Sequence, residues 1–376
     1  NNEIKNDSNM LSMMLETSAG SGEYQKTSAS AWPTEGYVFN ENISKCERGS
    51  KLTWDENKKT VIMNGNVSDK CYVYFDKTIS LADYVKAQYT SQGANNLYLH
   101  DNSLTNGAKD NSYRYAGPSE TTNNFVCFGY DSTDGSCPSD NLYRIIGVFG
   151  DEVKLIKYDY AKSTLLGTDG DYGQTYQAAG YGGTNKGQNS KSEIGVYYWN
   201  NNTQNNTWSE SRLNTINLNK NYINKIDENG TKWSEKISDH TWKVGGNTWS
   251  NIATQTAPTA YQNEINSPAT NKTVNAKVGL MYVSDYGYAA SSSSWSTTLY
   301  NYNNVIANNW MYMGLYEWTL APRTDDSDNH FNVYFTGRVN SYYVNANYAA
   351  RPVLYLKSTI GYGGGSGTAA KPILVK

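Results

Sequence analysis

The run "NLYRIIGVFGDEVKLIKYDYA", residues 141 to 161, constrains the fold more than any other stretch. Ile145, Ile146, Val148 and Phe149 lie so close together that a strand made from them is apolar on both faces. Gly150-Asp151 supplies the turn into a second strand. Such a hairpin is buried on both sides, which predicts one large domain from Asn124 onward.

Other segments fill in that domain. "AKVGLMYVSDYGYA" reads as its strongest central strand, with a Ser-rich loop at 291 to 294 after it. Leu213, Ile216 and Leu218 follow a Ser209-Glu210 start and predict a helix. "YEWTLAPR", "HFNVYFTGRVNSYYVN" and "ARPVLYLK" read as closing strands. The tail, 361 to 376, is a Gly-rich turn with a last short strand at 373 to 375. Its glycines lack the strand-to-helix context of a phosphate loop.

The N-terminal part reads differently. Met10, Leu11, Met14 and Leu15 recur at helical spacing, so residues 1 to 35 are expected to be a helix and a Gly/Ser/Thr linker. Residues 36 to 90 alternate as strands, with a turn at Asp55-Glu56-Asn57-Lys58, and end in a short helix with Leu81, Tyr84 and Val85 on one face. Residues 91 to 123 read as a polar connector. The expected fold class is α+β, with a small all-β module ahead of the large domain at 124 to 360.

Four cysteines fall into local pairs, Cys46 with Cys71 and Cys127 with Cys137. An even count at short separation is the pattern of disulfides in an oxidising compartment. A metal site is the competing reading, but no pair has CxxC spacing and His100, His240 and His330 are distant from every Cys in sequence. The expectation is therefore an extracellular protein without metal or cofactor. No apolar run approaches the ~18 residues of a membrane span, and an upstream signal or membrane anchor, absent from this chain, is expected. A net charge of −3 gives no nucleic-acid footprint.

The 33 Tyr and 10 Trp against 7 Phe make most aromatic area amphipathic, suited either to a binding surface or to a Tyr- and Trp-built β core. The stretch 325 to 356 bears on that choice. Phe331, Val333 and Phe335 alternate with Asn332, Tyr334 and Thr336, so an extended segment would place core on one face and contact chemistry on the other. The candidate ligand-binding residues are Asp326, Asp328, Asn329, His330, Asn332, Tyr334, Arg338, Asn340, Tyr342, Tyr343, Asn345, Asn347 and Tyr348. Tyrosine gives contact area at low entropy cost, and Asn or Ser gives adaptable hydrogen bonds, as in antibody paratopes. An ordinary Asn- and Tyr-rich solvent face is the plainer alternative. Trp318, Val333, Val339, Val344 and Leu354 are assigned to the core, and Arg351 to bonding nearby carbonyls. No clustered titratable groups suggest catalysis, and Asp325, Asp326, Asp328 and His330 read as a solvated loop.

Trp318, Leu320 and Pro322, then Gly337, then Arg351, Pro352, Leu354 and Leu356 form a pattern that resembles the C-terminal domain of a bacterial cell-surface family from Gram-positive gut organisms. The first element is more closely spaced here, and Ala350 stands where that family has Val. "NLYRIIGVF" and "GLMYVSDYGYA" resemble further segments of it, and the likeness spans roughly 124 to 358. It implies a C-type-lectin-like, formylglycine-generating-enzyme-like fold, similar to the variable proteins of diversity-generating retroelements. In those, selected Asn, Tyr, Ser, Asp and His positions are diversified on a fixed scaffold. The calcium motifs of lectins are missing, and the last Cys is at 137, before any position a formylglycine-generating enzyme would need. The implied function is an adhesin- or receptor-like protein binding a protein or glycan on another cell or phage surface. The alternative is a structural subunit or tip of a surface appendage.

Overall fold

Leu142–Phe149 is a strand, buried along all but its last residue. It turns through Gly150, in the left-handed region at φ 64°, into Glu152–Lys157. The pairing carries a bulge between Ile145 and Gly147, where a Cβ on Gly147 would meet the Tyr113 carbonyl oxygen at 2.3 Å. A computed structural model describes residues 2–3, 10–66, 68–266 and 270–376. It contains mixed helices and strands in two units, residues 1–80 and 81–376.

In the larger unit, the hairpin is the centre of an eight-stranded sheet. The order is Val278–Gly279, Val353–Leu356, Glu152–Lys157, Leu142–Phe149, Tyr113–Tyr115 and Leu97–Leu99. Phe125–Cys127 also pairs with Leu142–Phe149, and Ile373–Leu374 runs parallel to it. Both faces of the hairpin are covered, in keeping with its two-sided apolar sequence. Smaller sheets join Tyr172–Thr175 with Gly195–Tyr198 and Asn347–Tyr348, and Glu317–Pro322 with Asn329–Val333 and Val339–Tyr343. The expected helix runs as π-helix Leu213–Tyr222 and α-helix Ile223–Ile226.

Three expectations change here. Residues 91–123 are no mere connector, because Leu97–Leu99 and Tyr113–Tyr115 are strands of the large sheet. Helix Leu81–Ala87 belongs to the larger unit, where the Leu81 amide donates to the Ile360 carbonyl at 2.8 Å. "AKVGLMYVSDYGYA" is not a central strand: Ala276 ends a small two-stranded sheet opposite His240, Val278–Gly279 pairs at the edge of the large sheet, and Val283–Tyr288 is a helix. The apolar part, 278 to 283, is so short that its periodicity fits a buried helix start as well as a strand. Two carboxylates hold the helix start. Asp285 accepts from the Tyr282 amide at 2.9 Å, while Glu264 accepts from the Val283 and Ser284 amides at 3.1 and 3.0 Å. Gly287 lets the helix approach its neighbour, since a Cβ there would lie 2.8 Å from that of Ala257.

Burial pushes the titration of the Glu264 carboxyl up to about 8, with Asp285 adding to the effect. The folded chain thus holds this proton more tightly than the unfolded one, and the resulting stability is full below the ordinary value of 4.5 and lost as pH rises through about 8. Glu264→Gln lacks that proton. The unfolding free energy of the variant minus that of the wild type should therefore climb by a few kcal/mol between pH 4.5 and 8. A pH-independent difference in urea titrations would show that Glu264 does not titrate in this window.

In the smaller unit, Leu11–Glu16 is a strand and not the expected helix. It pairs in parallel with Cys71–Lys77, from Leu11 opposite Cys71 to Leu15 opposite Phe75. Leu11 and Met13 point into a core with Val61, Met63, Val73 and Phe75. The MLSMML stretch satisfies both periods, and the partner strand selects the period of two. The linker also contains a strand, Tyr24–Lys26, on the outer edge of Leu11–Glu16. Both disulfides form as paired in sequence: Cys46 with Cys71 and Cys127 with Cys137.

Most of the large aromatics serve the core. Trp199, Trp242, Trp295, Trp310 and Trp318 are fully buried, and each indole N–H donates to a backbone carbonyl, for example Trp318 to Tyr197 at 2.7 Å. Buried Tyr160, Tyr197, Tyr288 and Tyr302 likewise donate to the carbonyls of Leu315, Gly167, Asn106 and Gly287. The polar tips satisfy carbonyls in a unit rich in irregular chain, where Phe would leave them unpaired.

Candidate aromatic binding face

The strands Glu317–Pro322, Asn329–Val333 and Val339–Tyr343 set the geometry of the face. Trp318 lies opposite Asn332, and Asn332 opposite Asn340; His330 lies opposite Tyr342. Directly opposed residues share a face, so His330, Asn332 and Tyr334 lie with Trp318, Asn340 and Tyr342. Phe331, Val333 and Val339 turn into the core. The expected alternation is present as far as Val333, where the strand ends. A turn through Gly337, at φ 102°, joins the last two strands, and the Gly337 amide donates to the Tyr334 carbonyl at 2.8 Å.

The polar face is only partly open, which corrects four of the candidates. His330, Asn332, Asn329 and Tyr348 are buried, at 0, 1, 8 and 4 % exposure. Tyr348 lies over this side of the sheet, 4.5 Å from the Trp318 ring and stacked on Tyr316 at 4.8 Å. Trp199 stacks on His330 at 3.9 Å. Burial drives the His330 titration down to about 3, so the ring is neutral and its Nε2–H donates to the Thr319 carbonyl at 2.7 Å. The Asn332 amide has no hydrogen-bond partner among the described residues.

The remaining candidates surround this covered centre. Tyr342 and Tyr343 are 51 and 50 % exposed, with their rings edge to face at 5.4 Å. Tyr342 and Tyr343 leave opposite sides of their strand, so only Tyr342 continues the ring row with Tyr348, at 6.3 Å. Asn345 is exposed, and Asn340 and Asn347 are half-buried. Arg338 lies over the rings of Tyr334 and Tyr300, at 4.7 and 5.0 Å, and donates to the Tyr300 hydroxyl at 3.0 Å. Two rings unmarked in the sequence complete the face, Tyr181, 5.2 Å from Tyr316, and Tyr316 itself, 4.5 Å from Tyr334; Phe335, expected on the core side, joins them instead, half-buried 5.4 Å from Tyr316 in the turn after the strand. Tyr181 sits in the Gly-rich 180–183 loop, more than a hundred residues from the others, so no local pattern points to it.

The acidic loop is held by its own neighbours. Arg323 makes a two-pronged contact with Asp325, both at 3.0 Å, and lies 3.7 Å from Asp326. Asn329 donates to Asp326 and Asp328, each at 3.0 Å. Asn206 donates to the Arg323, Asp326 and Asn329 carbonyls. These contacts assign Asp326 and Asn329 to shaping the loop below the face. Among the described residues, no group of three or more His, Cys, Asp or Glu is placed to hold a metal.

Comparison with family models, with curated proteins and with solved structures gives no match.

Proposed function

We propose that this chain is an extracellular, adhesin- or receptor-like binding protein with a C-type-lectin-like larger unit, whose contact surface is the Tyr/Asn face around Tyr342. The observation that carries the reading is the half-exposed Tyr342 and Tyr343 pair on a strand whose other residues are tied to a buried sheet. Preformed aromatic anchors lose little entropy on binding, which is the usual property of interface hot spots. Two disulfides agree with an oxidising compartment, and among the described residues no helix is long and apolar enough to cross a membrane.

The reading separates positions free to vary from positions that are not. Tyr342, Tyr343, Asn345 and Asn340 accept new side chains without disturbing the core, whereas His330, Asn332, Trp318, Gly337 and Arg351 do not. Sequencing the segment encoding 318 to 356 across the source population should find variation confined to the first group. For binding, the fluorescently labelled protein is applied to whole bacterial cells and to immobilised glycans. Tyr342→Ala with Tyr343→Ala should weaken the strongest signal by about thirtyfold or more, at about 2 kcal/mol for an anchor, while the melting temperature stays near that of the wild type. Equal binding by the double variant would remove the face from the mechanism.

A further inference from the structure

Lys154 and Lys157 are both buried in the strand Glu152–Lys157, at 1 and 2 % exposure, but only the first has a counter-ion. Lys154 pairs with Asp285, whereas Lys157 makes no ion pair among the described residues. The Lys157 Nζ donates to the backbone carbonyl of Asp140 at 2.9 Å, and its other N–H groups have no protein partner among the described residues. An ammonium taken out of water without an opposite charge is costly. An anion beside it would offset that cost.

Lys157 lines a cavity of about 180 Å³. That is below the ~300–1,000 Å³ of a site for a drug-sized ligand, yet several times the ~30 Å³ share of one water, so the space suits a single small group. Lys162 and Lys225 line the same cavity, and Asp140 is the one carboxylate among its lining residues. Asp140 is held by Lys162 at 3.1 Å. The other acidic partners, Glu193 at 3.4 Å from Lys162 and Glu228 at 2.8 Å from Lys225, are not part of the lining. The lining therefore carries three positive charges against one negative, which excludes a cation and favours an anion. Leu165, Ile226 and the Tyr143 ring, 5.9 Å from the Lys157 Nζ, make the rest of the wall apolar, where a charge pair is stronger than in water. Exposed Thr164 adds a hydroxyl.

The surroundings hold these groups in place. The Cys127–Cys137 disulfide closes the loop that leads into the turn Ser139–Asn141, which carries Asp140. The Phe128 amide donates to the Asn141 carbonyl at 3.0 Å, and the Asn141 Nδ2 donates back to the Phe128 carbonyl at 3.1 Å. The Tyr143 and Tyr222 hydroxyls share a hydrogen bond at 2.6 Å, which ties the sheet to the helical segment ahead of Lys225. Burial pulls the Lys157 titration down to about 8. Of the charges facing it, Asp140 and Asp159 favour the ammonium, while Lys162 and Arg351 oppose it. The group is thus still mostly charged at pH 7 and mostly neutral at pH 9.

We infer that the cavity at Lys157, Lys162 and Lys225 is a binding site for a small tetrahedral oxyanion, a sulfate or phosphate group. The test is calorimetric titration of the full chain with sodium sulfate against a constant chloride background. Sulfate keeps its charge between pH 7 and 9, so its affinity should fall by about tenfold over that range as Lys157 loses its proton. Lys157→Met should weaken sulfate by about tenfold or more while melting at or above the wild-type temperature, because methionine suits the apolar wall and removes the unpaired charge. Exposed Lys225→Gln should weaken it by about threefold and leave melting unchanged. Inorganic phosphate and methyl phosphate, compared at pH 7, separate the two sources of such a group. Tighter methyl phosphate supports an ester on a larger molecule, and tighter inorganic phosphate supports the free ion. The inference is overturned by no binding of sulfate or either phosphate, by equal sulfate affinity in Lys157→Met, or by an affinity that does not change from pH 7 to 9. Tyr342→Ala with Tyr343→Ala should leave sulfate binding intact, so this site and the tyrosine face succeed or fail separately.

Discussion

Asp285→Asn should destabilise the larger unit by about 3–5 kcal/mol, enough to leave a marginal domain unfolded. Asp285 is 2 % exposed and serves two buried cations at once: Lys154 Nζ at 2.7 Å and Arg114 Nη1 at 3.6 Å. Arg114 keeps a second partner in Asp110 at 2.9 Å. Lys154 is worse placed. It is 1 % exposed, its other neighbours are the rings of Tyr282, Tyr355, Phe149 and Trp242, and burial already pulls its titration down. Asparagine keeps the shape and removes the charge, so the loss reports an uncompensated ammonium. Adding Lys154→Met should recover most of it, because an apolar side chain of similar length suits those rings. Urea titration followed by near-ultraviolet circular dichroism measures both. A single variant as stable as the wild type would mean that the ion pair does not hold these strands to the helix.

The second large effect is expected for Arg351→Met, again about 3–5 kcal/mol at pH 7. Arg351 Nε donates to both Glu317 oxygens, at 3.0 and 2.9 Å, and its Nη2 donates to the Met311 carbonyl at 2.7 Å. Glu317 is 2 % exposed, and burial raises its titration even with the guanidinium present. Without Arg351 the carboxyl must take a proton to stay buried. Its folded-state value then rises further, so the variant is most stable in acid and loses ground as pH increases. The deficit relative to the wild type should therefore be smaller at pH 5 than at pH 7. Glu317→Gln added to Arg351→Met should flatten that pH dependence. A deficit of equal size at both pH values would show that lost packing, and not the stranded carboxyl, is the cause.

These two clusters mark the limit of what periodicity can report. Arg351 was legible as a structural residue because Pro352 and the strand after it fix the chain beside it. Its partner Glu317 was not, since nothing local ties two residues 34 apart. Lys154 and Asp285, 131 residues apart, were invisible as a pair, and the helix that brings Asp285 inward was expected to be a strand.

The binding face divides in the same way. Alternation identified which side chains share a surface from 331 to 333, and that assignment stands in the register of the strands, but the strand ends at Val333 and Phe335, expected inward, turns to the tyrosines. Whether the shared surface meets solvent depends on Tyr348, Tyr316 and Trp199, which arrive from other segments and close over Asn332 and His330. Tyr342 and Tyr343, the last residues of their strand, stay half-exposed.

By itself the sequence determined the features that depend on neighbouring residues: both cysteine pairs, the buried hairpin with its Gly150 turn, the Leu213 helix and the inward and outward alternation of the closing strands. Each follows from backbone geometry, φ preference or short loop closure, whose range is a few residues. The tertiary structure decided what those surfaces meet. It made Leu11–Glu16 a strand by giving it Cys71–Lys77 as a partner, tied buried tyrosines such as Tyr160, Tyr197, Tyr288 and Tyr302 to core carbonyls, and covered Asn329, His330, Asn332 and Tyr348 of the predicted contact face. Burial is a property of where distant segments come to rest, and no local period encodes it.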